Sequence, residues 1–244
     1  MNEFLLVLGI ALVASFLTYL GAPVAERFEV PQKVVSAALQ FAAGIITALV
    51  AFSLMPPAVR AGPYGWVVLA FFIGGVLYVT IEYLSTRVMA TAPAAEDGAA
   101  TSFGLYIGIL VDLVIDGVVI GIGSTLTLAT GLLLALGLAI STAPLAFVTI
   151  ATAKRQGMSA KNRRLLSFLL FLCVLVGALF GYLVLRNQSQ ELRLILVALA
   201  SGFLITTVVQ GLIPEANREG EPGFAGILYI AGLSLYGLMS LTIK

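Results

Sequence analysis

The sequence predicts an all-α polytopic membrane protein with eight transmembrane helices, and its composition is the first observation behind that prediction. The 244 residues are 60% hydrophobic and only 10% charged, with a mean hydropathy of +1.09. A soluble domain carries about 25% charged residues, so this chain has too few charges to cover a water-facing surface. The composition therefore excludes a soluble enzyme, a nucleic-acid-binding protein and a disordered chain.

The length and pattern of the apolar runs are the second observation. A transmembrane helix needs about 20 mostly apolar residues. The runs in this chain are continuously apolar, whereas the strands of a membrane β-barrel would alternate with period two. The first run has no basic segment ahead of it and is predicted to be a span, not a cleavable signal peptide. Spans 1 to 8 are predicted at residues 4–20, 34–55, 64–84, 103–123, 126–151, 165–185, 192–213 and 224–243.

The distribution of basic residues predicts the orientation. Nine of the 13 Lys and Arg residues lie in the loops that join spans 1–2, 3–4, 5–6 and 7–8, and the rest lie on the side of the termini. Cytoplasmic loops carry an excess of Lys and Arg, so both termini are expected outside the cytoplasm. The expected location is the plasma membrane or, in a bacterium, the inner membrane.

Two segments of the chain repeat each other at an offset of 158 residues. Residues 44–56 begin with Gly and end with Pro, as do residues 202–214, and span 3 matches span 8 at the same offset. Spans 2 and 7 cross the membrane in opposite directions, so the repeat is inverted, which is typical of transporters with a site near the midplane. We expect one domain over residues 1–244, with spans 1–3 and 6–8 as the repeats and spans 4–5 as a central pair.

Two carboxylates interrupt the apolar middle of span 4. Asp112 and Asp116 are four residues apart, so their Cβ atoms lie on one helix face about 5–6 Å apart. A carboxylate at the bilayer centre costs at least about 2.5–3.5 kcal/mol, and no Lys or Arg lies at midspan to offset it. The pair therefore predicts a cation or proton site; the alternative is a protonated pair that hydrogen-bonds to neighbouring helices.

Span 5 carries Ser141, Thr142 and Pro144 near its middle. A proline cannot donate to the carbonyl four residues earlier and clashes with it, so the helix is expected to bend or open there. The freed carbonyl and the two hydroxyls would then supply oxygen ligands beside the acids. An ordinary kink, satisfied by the same hydroxyls, is the alternative.

Further polar residues are predicted to line a pathway through the membrane. Hydrogen bonds between helices are the alternative for those at midspan, and solvated helix ends for the two glutamates. The predicted residues are Thr47 and Ser53 in span 2, Gln210 in span 7, Glu82 at the end of span 3 and Glu215 after span 7.

Together these features resemble the ZIP (Zrt/Irt-like protein) family of divalent metal transporters. The family's fourth span carries His-Asn-x-Pro-(Glu/Asp)-Gly, and residues 112–117 read Asp-Leu-Val-Ile-Asp-Gly, so that Asp116 and Gly117 match. The fifth span carries His-Glu-x-Pro, of which residues 141–144 keep Pro144. The sequence Leu-Ile-Pro-Glu-Ala at 212–216 looks like the end of the family's seventh span.

The resemblance implies a ZIP-like fold of three, two and three spans with an inverted repeat, and a metal site between spans 4 and 5. Asp116 would be a metal ligand, Asp112 would replace a His, and Ser141 and Thr142 would occupy the places of a His and a Glu. The chain contains no His and a single Cys. A site built from oxygen ligands suits harder cations such as Mg²⁺, Mn²⁺ or Ca²⁺.

The predicted function is transport of a divalent metal cation by alternating access, with the repeats rocking against spans 4 and 5. One alternative is a proton-linked transporter of a non-metal solute, because two acids so close together resist double ionisation. The other is a non-transporting membrane component with a degenerate site. No enzyme activity, permanently bound cofactor or nucleic-acid partner is expected. The expected partners are the lipid bilayer and the cation, and a homodimer is a possible oligomeric state.

Overall fold

A computed structural model describes residues 2–91, 99–218 and 223–242, which form α-helices and two π-helical segments, with no strand in those ranges. The predicted last residue of span 8 lies outside them. The α-helices are α1 Asn2–Tyr19, α2 Gly21–Arg27, α3 Gln32–Leu49, α4 Met55–Ala61, α5 Tyr64–Thr91, α6 Ala99–Leu126, α7 Leu128–Arg155, α8 Ala160–Leu185, α9 Gln190–Thr206, α10 Ile213–Ala216 and α11 Ala225–Thr242.

The all-helical fold and the number of spans are confirmed. Eight helical stretches of the described chain are long and apolar enough to cross a membrane, as expected of a multi-pass membrane protein. They are Glu3–Arg27, Gln32–Ala61, Tyr64–Leu84, Tyr106–Leu126, Leu128–Arg155, Ala160–Leu185, Gln190–Ala216 and Ala225–Thr242, and they are spans 1 to 8 below.

Spans 2 and 7 each contain a π-helical segment directly before a proline. The segments are Val50–Leu54 and Thr207–Leu212, and Pro56 and Pro214 lie in the first turn of the helix that follows. A proline clashes with the carbonyl four residues before it, and the wider π turn moves that carbonyl away. Both spans therefore continue as helices to Ala61 and Ala216, beyond their predicted ends.

The helices pack as two groups of four. Spans 1 and 6 pack mainly on each other and on spans 4 and 5, and they make few contacts with the other members of their own repeats. In the other group, span 8 packs along span 2 and span 3 packs along span 7. The groups meet where span 2 crosses span 5 and where spans 3 and 7 pass span 4.

Glycines let span 2 approach span 8, and span 3 approach span 7, at backbone distance. A Cβ atom at Gly44 would lie 1.9 Å from the Tyr229 carbonyl oxygen. A Cβ atom at Gly202 would lie 1.8 Å from the carbonyl oxygen of Phe71. Adding 158 to Gly44 gives Gly202, and adding it to Phe71 gives Tyr229, so the two contacts occupy matching positions of the repeated segments.

Close backbone contact also joins span 4 to span 6. A Cβ atom at Gly117 would lie 2.3 Å from the Val174 carbonyl oxygen, and one at Gly177 would lie 2.2 Å from that of Val114. Small residues at such crossings replace the hydrophobic driving force that is missing inside a bilayer, because they allow dense packing. This packing fixes the rotation of span 4 and so decides which way its acids point.

Spans 3 and 8 lie at the periphery of the bundle. Only 17% of the most apolar 18-residue stretch of each is buried, compared with 67% in span 2. Large apolar side chains, including Trp66, Phe72 and Ile227, are exposed along them. Such a surface suits lipid, where exposed apolar side chains carry no hydration cost.

Candidate acidic site on span 4

The acid pair lies inside the helix bundle. Asp116 is 3% exposed and Asp112 is half-buried, one helical turn nearer the start of span 4. Leu113, between them, is buried as well. Span 4 carries no basic residue within the described stretch Tyr106–Leu126, so neither carboxylate is neutralised from its own helix.

Thr207 of span 7 joins Asp112 across the boundary between the two groups of helices. Its hydroxyl donates to Asp112 Oδ1 at 3.4 Å and lies 3.2 Å from the Phe203 carbonyl oxygen of its own helix. Thr207 is the first residue of the π-helical segment. Sequence reasoning missed this residue, because a threonine in a membrane helix gives no signal until its neighbour on another helix is known.

Ser141 and Thr142 lie in a buried part of span 5, and both hydroxyls donate to the Leu138 carbonyl oxygen at 2.8 Å. The Thr142 hydroxyl also lies 2.8 Å from the hydroxyl of Thr18 in span 1. Pro144 lies inside a helix that runs without interruption from Leu128 to Arg155. Span 5 therefore does not open at Pro144, and the two hydroxyls bond along their own helix.

Thr47 and Ser53 hydrogen-bond to tyrosines of span 8. Tyr229 donates to the Thr47 hydroxyl at 2.8 Å, and the Ser53 and Tyr236 hydroxyls lie 2.8 Å apart. Tyr236 is fully buried. These bonds join span 8 to span 2. Hydrogen bonding between helices was the alternative to pathway lining for Thr47 and Ser53.

Tyr78 of span 3 is the residue that matches Tyr236 in the repeat, and its environment differs. It packs its ring edge-on against Phe203 at a centroid distance of 5.1 Å. A Cβ atom at Gly211 would lie 3.0 Å from the Tyr78 hydroxyl, at the position where span 2 has Ser53. The Tyr78 hydroxyl lies within electrostatic range of both Asp112 and Glu82. Tyr78 was not predicted as a site residue.

The remaining predicted pathway residues are exposed or half-buried on spans 3 and 7. Gln210 is exposed on the π segment of span 7, and Glu82 is exposed on span 3. Glu215 is half-buried and forms an ion pair of 3.5 Å with Arg218 three residues later.

Asp112 and Asp116 are the strong metal ligands that span 4 offers at its middle. Within the described residues, no group of three or more His, Cys, Asp or Glu side chains could hold a metal ion. A cation at Asp112 and Asp116 would complete its coordination with hydroxyls, backbone carbonyls and water, which are ligands typical of Mg²⁺, Ca²⁺ and Mn²⁺.

No family model matches this chain, and no curated protein matches it.

Proposed function

We propose that this protein transports a divalent metal cation across the membrane, with Asp112 and Asp116 as the binding carboxylates. The observation that carries the proposal is a buried Asp116 with a half-buried Asp112 one turn away, in the middle of an apolar span without a basic residue at midspan. Ionisable residues inside a membrane are costly and mark ion pathways or proton relays. A bound divalent cation would offset the charge of both acids at once.

The hydroxyls around the pair support the same proposal. Thr207 hydrogen-bonds to Asp112 from span 7, and the Tyr78 hydroxyl of span 3 lies within electrostatic range of Asp112 and Glu82. Both residues belong to the group of helices opposite span 4. A cation held by Asp112 could therefore gain or lose these oxygen ligands when the two groups move relative to each other.

The packing suggests which parts move. Spans 1, 4, 5 and 6 form one unit that carries the acids, and spans 2, 3, 7 and 8 form the other. In this proposal the first unit shifts against the second and exposes Asp112 and Asp116 to each side in turn. This division differs from the sequence-based expectation, in which the repeats rock against spans 4 and 5.

Topology and family belong to the same proposal. Both termini would lie outside the cytoplasm, since the loops on the opposite side hold most of the Lys and Arg residues. The motif positions in spans 4, 5 and 7 support a divergent relative of the ZIP family in which the inverted repeat surrounds spans 4 and 5. The missing His residues favour a harder cation than zinc.

Uptake into proteoliposomes tests this function. The purified protein is reconstituted around a metal-sensitive dye, and Mn²⁺, Mg²⁺, Ca²⁺ and Zn²⁺ are added separately. Asp112→Ala and Asp116→Ala should each reduce uptake of the transported ion at least about tenfold, which corresponds to a loss of about 1.4 kcal/mol or more. Glu191→Gln, which changes an exposed acid at the start of span 7, is the matched control and should leave uptake unchanged.

Thermal melting separates loss of binding from loss of folding. Without metal, the two alanine variants should melt no lower than the wild type, because the substitution removes a buried charge and its desolvation cost. Added cation should raise the melting temperature of the wild type alone. Normal uptake by both variants would end the assignment of the acids as the cation site.

A proton-linked transporter of a non-metal solute is the second candidate. One observation favours this candidate over a metal transporter: among the described residues, no group of three or more His, Cys, Asp or Glu side chains could hold a metal ion. It predicts solute uptake that follows an imposed pH gradient and is unaffected by chelator. Absence of all flux, with a melting temperature that no cation changes, would instead indicate a non-transporting component.

A further inference from the structure

A second polar feature lies far from the acid pair, where span 1 ends and span 6 begins. A cavity of about 240 Å³ opens there between the two helices. Its polar lining comes from Tyr19, Glu26 and Arg27 of span 1 and from Arg164 and Ser167 of span 6. None of these residues takes part in the site proposed for transport.

The one acid in this lining is already paired. Arg163 Nε lies 2.6 Å from Glu26 Oε1, and Arg163 Nη2 lies 2.9 Å from Glu26 Oε2, so the guanidinium grips both carboxylate oxygens. Lys154 of span 5 donates to the backbone carbonyl of Glu26 at 3.3 Å. The negative charge of Glu26 is therefore balanced before any ligand enters the cavity.

The two remaining arginines leave the cavity positively charged. Within the described part of the chain, neither Arg27 nor Arg164 forms an ion pair. Both are exposed, and Lys161 adds charge one turn before Arg164. An unpaired guanidinium presents several N–H groups in a planar fork that matches the oxygens of a phosphate group.

The two hydroxyls of the cavity differ in whether they can donate to such an anion. Ser167 donates its hydrogen to the Arg163 carbonyl oxygen of its own helix at 2.8 Å, so this hydrogen is already used. The hydroxyl of Tyr19 forms no hydrogen bond to another described residue. It is thus available to donate to an anion between the two arginines.

The position of the cavity indicates that the phosphate belongs to a lipid headgroup. It lies at the ends of two spans, at the height of the lipid headgroups, on the face to which the basic loops assign the cytoplasm. Basic pockets between transmembrane helices on that face bind anionic headgroups. Its volume is below the roughly 300–1,000 Å³ of a pocket for a whole small molecule, so it suits a headgroup whose acyl chains stay in the bilayer.

We propose that this cavity binds the phosphate of an anionic phospholipid, held by Arg27 and Arg164 with Tyr19 as an additional donor. The bound headgroup joins span 1 to span 6, next to the Glu26–Arg163 pair that already links them. The site is independent of the cargo and of the acid pair on span 4.

Lipid titration with native mass spectrometry and thermal melting tests the proposal on the full chain in detergent. The probes are phosphatidylglycerol, phosphatidylcholine and inorganic phosphate. Phosphatidylglycerol should bind and raise the melting temperature, and phosphatidylcholine should do neither. Arg27→Gln and Arg164→Gln should each weaken phosphatidylglycerol binding about fivefold, as expected for the loss of one hydrogen-bonded contact with the phosphate.

Lys161→Gln is the matched control, because it removes one exposed charge from the same turn of span 6 without touching the cavity. It should leave phosphatidylglycerol binding unchanged. Equal losses in Lys161→Gln and Arg164→Gln would show diffuse attraction and overturn the site. Equal stabilisation by phosphatidylglycerol and phosphatidylcholine would overturn it as well. An effect of inorganic phosphate as large as that of the lipid would overturn the assignment to a headgroup.

Discussion

The crossing of spans 2 and 8 and the crossing of spans 3 and 7 share their backbone contacts and differ in their polar chemistry. In the first crossing, Ser53 and Tyr236 bond at 2.8 Å and the tyrosine is fully buried. In the second, Gly211 replaces the serine, and the hydroxyl of Tyr78 lies within electrostatic range of Asp112 and Glu82. In the first crossing the serine and tyrosine hydroxyls bond to each other, whereas in the second the tyrosine hydroxyl has no serine partner and lies within electrostatic range of Asp112.

This difference shows how a repeated scaffold can hold an asymmetric site. Glycines at matching positions fix the distance between helices in both crossings, and that part of the design needs no polar side chain. The chemistry depends on single positions, such as Ser53 compared with Gly211. Three changes would break or sharpen the comparison, starting with the one of largest effect.

Filling the glycine contacts should disrupt both crossings alike. In Gly44→Ala and Gly202→Ala the new Cβ would lie less than 2 Å from a carbonyl oxygen of the facing helix, so the helices must separate. We expect a loss of about 1–3 kcal/mol of stability, despite the helix propensity of alanine, measured as a lower melting temperature in detergent.

Gly65→Ala and Gly226→Ala are the controls, since a Cβ atom at either position meets nothing within 4 Å. They should melt at or slightly above the wild-type temperature. If Gly44→Ala and Gly202→Ala behaved like these controls, backbone contact would not be what holds the two crossings.

Removing the Thr207 hydroxyl should affect the acid pair and leave the helix intact. Thr207→Val keeps the side-chain shape and loses the bond to Asp112, so cation uptake should fall about three- to tenfold, as expected for one hydrogen bond. Thr206→Val is the control, because Thr206 bonds only to the Gly202 carbonyl of its own helix, at 2.9 Å. Equal uptake by the two variants would remove Thr207 from the site.

The smallest effects should come from the two tyrosines, and they should differ in kind. Tyr236→Phe should lower the stability by about 0.6 kcal/mol, a typical value for one hydrogen bond between membrane helices, and leave uptake unchanged. Tyr78→Phe should change the apparent affinity for the cation and leave the melting temperature unchanged. The opposite assignment of the two effects would contradict the asymmetry between the crossings.

Much of the fold could be predicted from the sequence because its signals are local. The apolar runs gave the spans within a few residues at most ends, and the largest errors were at span 1, which continues to Arg27, and at span 2, which continues past Pro56 to Ala61. In span 2 the π turn absorbed a proline that sequence rules treat as a helix end. At Pro144 the same rules predicted a bend or an opening, and the helix continues without a break.

The site could be predicted only in part. Asp112 and Asp116 were identifiable because a charge in an apolar run is visible without knowing any neighbour. Thr207 and Tyr78 were not, because threonine and tyrosine are common in membrane helices and acquire meaning only beside Asp112. Thr142 was expected as an oxygen ligand beside the acids, and only the structure shows that its hydroxyl lies 2.8 Å from the hydroxyl of Thr18 in span 1.

The sequence by itself determined that this chain forms eight apolar helices, that two acids lie within one of them, and that glycines recur at a fixed offset. These properties depend on residue type and on spacing along one helix. The tertiary structure decided which helices pack together, that Thr207 of span 7 bonds to Asp112, and that the Tyr78 hydroxyl meets Gly211 of span 7. Such contacts depend on the rotation of one helix against another, which close packing at the glycines sets and which no single segment contains.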